Sequence, residues 1–131
     1  MPKKQLDQHR AALNKRRREL EDDLAEALRN REEVAVQSAP DEIDMAQLTA
    51  QRELAISNLD RVSNLLRDVK EALQRIADGT YGTCLSCEEP IAPKRLNAVP
   101  WTRYCVRCQE AEDEKRRRHT PYFSEELGDA A

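Results

Sequence analysis

The chain has 131 residues, of which 36% are charged and only 4% aromatic, with a formal net charge of −3. Such a composition excludes a thick globular core and suits long solvated helices that bury a narrow stripe. The slight acidity also removes any global basic field that would favour nucleic acid as the partner.

No apolar run approaches the roughly 20 residues of a membrane span. Met1-Pro2-Lys3-Lys4-Gln5 leads straight into charged sequence, without the apolar segment of a secretory signal. The expected setting is therefore the cytoplasm. There, the four cysteines are expected to bind metal rather than to pair as disulfides.

From Lys3 to Val36 no Gly or Pro interrupts strong helix formers, and nine basic and eight acidic residues surround a thin apolar set. Leu6, Leu13 and Leu20 recur at sevens, followed by Leu24, Leu28 and Val34, which predicts a helix with a narrow seam. Ser38-Ala39-Pro40 then breaks the pattern, and the connection Gln37 to Pro40 reads as a short turn. A second helix is predicted from about Asp44 to Asp78. Its seam is Ala55, Leu59, Val62, Leu66, Val69, Leu73 and Ile76, and Gly79 stands at the C-cap position. Two helices of about 50 Å joined by so short a turn are expected to fold back as an antiparallel coiled-coil hairpin. Residues 1–78 then form the hairpin, with its tip near 37–46. Pairing with a second copy of the chain is the alternative.

The composition changes at Gly79-Thr80-Tyr81-Gly82. Cys84-Leu85-Ser86-Cys87, then seventeen residues, then Cys105-Val106-Arg107-Cys108 gives two C-x2-C knuckles. Four thiolates fill a tetrahedron, so Cys84, Cys87, Cys105 and Cys108 predict one structural Zn²⁺ with no coordination position open for catalysis. A redox dithiol is the competing expectation, but no thioredoxin-like βαβ pattern surrounds the pairs. Gln109 to Arg118 is helical in composition, so residues 79–118 are expected to be a finger with a following helix. The tail 119–131 is expected to be flexible.

Other features take bland explanations first. Trp101 and Tyr104 are expected to pack the finger against the base of the hairpin, with an exposed docking Trp101 as the alternative. His9 and His119 are expected at the surface and not as ligands. The clusters Lys15-Arg16-Arg17-Arg18 and Lys115-Arg116-Arg117-Arg118 are answered by nearby acids and read as solvated helix faces. Direct DNA binding is not expected. Asp41 and Asp44 stand three apart at the bend. Capping by Ser38 or Asp41 explains them; so does carriage of carboxylates to a distant Mg²⁺ or basic pocket, and spacing alone does not choose.

Gly82-Thr83-Cys84-Leu85-Ser86-Cys87, Ile91, Arg95-Leu96-Asn97-Ala98-Val99-Pro100 and Cys105-Val106-Arg107-Cys108-Gln109 together resemble the zinc finger of the DksA/TraR family of bacterial transcription factors. Asp41-Glu42-Ile43-Asp44-Met45-Ala46 is similar to the D-x-x-D-x-A tip pattern of its DksA branch. The resemblance spans roughly positions 41 to 110 and, weakly, the first helix. It implies a non-enzymatic regulator whose coil enters the RNA polymerase secondary channel. Asp41 and Asp44 would act near the catalytic Mg²⁺, with Ala46 helping them fit, and open promoter complexes would be destabilised. Set against longer members, the segment before the tip is short, implying that an N-terminal portion is missing. The positions corresponding to basic residues of the ppGpp site are Asp68, Val99 and Gln109, so an effect independent of ppGpp is expected. A zinc-stabilised coiled-coil adaptor that binds another protein, or dimerises, is the alternative function.

Overall fold

A computed structural model describes residues 1–119; the tail expected beyond them, and the side chain of His119, lie outside the described residues. Two helices dominate, α1 (Lys3–Ala35) and α2 (Glu42–Asp78), followed by a short α3 (Pro93–Ala98) and α4 (Val106–His119). α1 and α2 pack against each other as an antiparallel hairpin, joined by residues 36–41. At 37 residues, α2 extends for about 55 Å.

The termini of α2 follow from local chemistry. Asp41 at the N-cap is extended (φ −139°, ψ 177°), and its side chain accepts from the Asp44 amide. Gly79 at the other end adopts φ 80°, and its amide reaches the carbonyls of Arg75 and Ile76. That left-handed cap is costly for residues bearing a Cβ.

The buried stripe repeats at sevens on both helices. On α1 it runs Leu13, Leu20, Ala27, Val34; on α2 it runs Leu48, Ala55, Val62, Val69, Ile76, with Leu59 and Leu66 beside it. Ala27 and Val62 line one groove, and Val34 and Ala55 another, which sets the register of the pair. Two expected seam positions differ. Leu28 is 43% exposed, and Ala27 takes its place. One residue is about 100° around the helix, so keeping the sevens places Ala27 inward and Leu28 outward. Near the base Ala72 is buried and Leu73 only partly so, because the stripe there also meets the finger.

One core runs from the hairpin into the finger. Leu13, Leu20, Val62, Leu66, Val69, Ala72 and Ile76 are continuous with Tyr81, Cys84, Ile91 and Leu96, and Trp101 and Tyr104 pack against this cluster. The finger therefore closes the base of the rod and leaves the turn at the free end. His9, expected at the surface, is instead 9% exposed, with its ring 5.5 Å from that of Tyr81. The finger folding back over the first turns of α1 covers it.

Candidate functional site

The finger brings the four predicted cysteines together. Gly82 at φ 92° turns the chain into the first knuckle, where Ile91 donates to the Gly82 carbonyl at 2.8 Å and Cys84 to the Glu89 carbonyl at 2.9 Å. The Glu88 amide closes the knuckle on the Cys84 carbonyl at 3.0 Å, with Glu88 itself left-handed at φ 63°. The second knuckle opens α4, and the Gln109 amide donates to the Cys105 carbonyl at 2.8 Å.

The sulfur atoms of Cys84, Cys87, Cys105 and Cys108 all lie within 4.8 Å of one another, with Cys87 Sγ and Cys105 Sγ 3.9 Å apart. Four sulfurs at about 2.3 Å from one zinc are separated by about 3.8 Å, so the cluster has the size of a tetrahedral Zn(Cys)4 site. Its electrostatics agree. Burial pushes the Cys84 thiol up, but the amides of Cys87, Cys105 and Ser86, together with the Cys87 thiol, outweigh it and bring it down to about 6. Cys108 is driven up to about 12, chiefly by the neighbouring Cys105 sulfur. Amide donors that favour thiolates, in a group too crowded with negative charge to ionise fully alone, suit a bound dication.

Side chains missed by sequence reasoning hold the finger to the hairpin. Arg103 Nη2 donates to Asp68 Oδ1 at 2.7 Å, and Arg75 Nη2 to the Thr102 carbonyl at 3.2 Å. Within the finger itself, Tyr81 Oη donates to the Pro100 carbonyl at 2.8 Å, and Arg95 Nε to the Tyr104 carbonyl at 2.9 Å. Of the other two positions singled out beside Asp68, Val99 caps α3 through its amide and Gln109 bonds Asp113 at 3.0 Å.

At the opposite end, Asp41, Asp44 and Ala46 occupy the cap and first turns of α2. Asp44 N to Asp41 Oδ1 is 2.8 Å, so Asp41, not Ser38, is the cap. Val36 at the end of α1 and Ile43, between the two acids in sequence, are 84% and 73% exposed, apolar surface that sequence reasoning overlooked. Members of the two basic clusters pair within their own helices, Arg16 with Glu19, Arg17 with Glu21, Lys115 with Glu112 and Arg117 with Glu114.

A family model, the prokaryotic dksA/traR C4-type zinc finger, matches residues 79–114. The transcription factor DksA2 of Pseudomonas aeruginosa has a similar structure, with a TM-score of 0.72 and 34% identity over 89% of this chain and 88% of that one. The chain belongs to the DksA/TraR family. An uncharacterised protein of Aquifex aeolicus is 39% identical over 64% of this chain and 58% of its own length. The RNA polymerase-binding transcription factor DksA of Escherichia coli is 28% identical over 83% of this chain and 72% of its own. The chain thus spans well under two thirds of the Aquifex relative. The family's C4 finger and the clustered sulfurs agree on one structural Zn²⁺, which Cys84, Cys87, Cys105 and Cys108 would hold. Among the described residues, no helix is long and apolar enough to cross a membrane.

Proposed function

We propose that the chain is a cytoplasmic, non-enzymatic transcription factor that binds RNA polymerase through its secondary channel and destabilises open promoter complexes with its acidic tip. The observation that carries this proposal is the acid pair at the free end of a rod whose other end is closed by the finger. Similarity to proteins named as RNA polymerase-binding transcription factors supports the partner.

A hairpin of about 55 Å has the shape to carry its tip down a deep pore. Where water is scarce, Asp41 and Asp44 would act strongly on a cationic centre. The exposed Val36 and Ile43 would supply apolar contact beside them. No bond is made or broken by this chain.

The effect would be independent of ppGpp at the site expected from the family. Asp68 is acidic and already engaged by Arg103, and Val99 and Gln109 are uncharged. Such a set does not attract a polyphosphate. Activity in purified transcription only when ppGpp is added would overturn that part.

The decisive experiment measures binding to core polymerase and open-complex lifetime for Asp41→Asn/Asp44→Asn. Asn caps a helix about as well as Asp, so the double variant removes charge while keeping the fold. Binding retained and destabilisation lost is the expected result. Unchanged activity would overturn the tip mechanism, and absence of binding by the parent protein would overturn the polymerase assignment.

A further inference from the structure

The C-terminus of α1 has no terminator of its own. Val36 at its C-cap is right-handed, no glycine follows, and no basic residue lies in its last turn. The last carbonyls of such a helix need donors from elsewhere. They come from Arg52 on α2. Its Nε donates to the Val34 carbonyl at 3.0 Å and its Nη2 to the Gln37 carbonyl at 2.6 Å, with the Ala35 carbonyl at 3.5 Å from the same nitrogen. The guanidinium also sets a positive charge against the negative end of the α1 dipole.

Both ends of the connection are thereby tied. Arg52 holds Gln37; at the other end Asp41 accepts from Asp44 through its side chain at 2.8 Å and from Met45 through its carbonyl at 2.9 Å. Only residues 38–40 lie between, and Pro40 has its φ restricted by the ring. The direction in which the two carboxylates leave the rod is therefore coupled to Arg52.

We propose that Arg52 is a positioning residue for the tip, bracing the turn so that Asp41 and Asp44 are presented in one fixed orientation. The proposal rests on the reading of the tip as effector, but its first test does not need polymerase. In the free full-length protein, Arg52→Met keeps volume and removes the donors. Amide exchange at Asp44 and Met45, the two amides that Asp41 holds, should then accelerate by about tenfold, the consequence of losing the charge-assisted hydrogen bonds that brace the turn. Exchange between Leu59 and Ile76 should stay as it was.

With polymerase, Arg52→Met should lower the maximal effect on open-complex lifetime while leaving the half-saturating concentration unchanged. Arg52→Lys keeps the charge but lacks the fork that spans several carbonyls, and should recover only part of the effect. Unchanged exchange at the turn, or an undiminished maximal effect, would overturn the proposal. A rise in the half-saturating concentration alone would also do so, because it would mark a general stabilising role. If the parent protein had no effect on polymerase, the proposed function would fail by itself, and the exchange result would decide whether Arg52 holds the tip.

Discussion

Arg103 of the finger and Asp68 of α2 meet at 2.7 Å, with 27% and 24% of their side chains exposed. The pair therefore lies between the exposed case, worth little, and the buried case, where removing one partner is expensive. Asp68 also offsets Arg75, whose pKa is lowered first by burial and further by Arg103. Asp68→Lys should destabilise the protein by roughly 1–3 kcal/mol, since it removes a partner and adds a like charge. Thermal unfolding checks this. Adding Arg103→Glu should recover only part of the loss, because Glu71 remains 3.9 Å from the position Arg103 occupies.

Zinc removal should separate the two halves of the fold. The finger has little core apart from its contact with the hairpin, whereas the stripe toward the tip, Ala27, Val34, Leu48, Ala55 and Leu59, lies outside the cluster that Cys84 joins. A strong chelator should therefore change the emission of Trp101 sharply while most of the helical circular dichroism persists. Because thiolates bind the metal and protons compete for them, zinc should be released as pH falls. Metal analysis of the parent should give one zinc per chain; Cys84→Ser and Cys105→Ser should each lower that occupancy. Retention of native Trp101 emission after complete demetallation would contradict the expectation.

What could be read directly in the sequence was whatever depends on nearby residues. The α2 heptads, the Gly79 cap and the two C-x2-C knuckles are all local patterns, and each falls where it was expected apart from Leu73, which yields its seam place to Ala72. The α1 seam was harder. Leu28 is the more apolar residue, but the sevens set by the facing helix favour Ala27. His9 had no nearby signal of burial, because Tyr81 reaches it only after the chain has returned along the whole hairpin. The same applies to Asp68 with Arg103, 35 residues apart, and to Arg52 with Val34, 18 apart. At the tip, spacing favoured capping without excluding function, and the Asp41–Asp44 bond establishes capping without removing the charge.

Tyr81 provides an alkaline test of the finger–hairpin junction. Burial, eased slightly by Arg75, pushes its phenol up to about 12, and its hydroxyl donates to Pro100. The folded pKa thus lies above the unfolded value of about 10. Its stabilising contribution should be complete below pH 10 and disappear as pH rises toward 12, reducing stability by up to roughly 2 kcal/mol. Absorbance titration should show one tyrosine ionising in that late window. Tyr81→Phe should abolish that phase and cost about 1 kcal/mol for the lost hydrogen bond.

Asp41 has two roles that different substitutions separate. Its Oδ1 accepts from the Asp44 amide at 2.8 Å, so Asp41→Ala leaves that amide without its partner and removes a charge at the N-terminus of α2. The loss should be about 1 kcal/mol, confined to the first turn. Faster amide exchange at Asp44 would report it, with the midpoint of global unfolding nearly unmoved because the seam from Ala55 onward is untouched. Asp41→Asn should preserve slow exchange at Asp44. If the carboxylate charge is the effector, Asp41→Asn and Asp41→Ala should be equally impaired on polymerase although only one loses the cap. Activity that follows the cap instead, with Asn active and Ala inactive, would assign the role to the geometry of the turn and not to the charge.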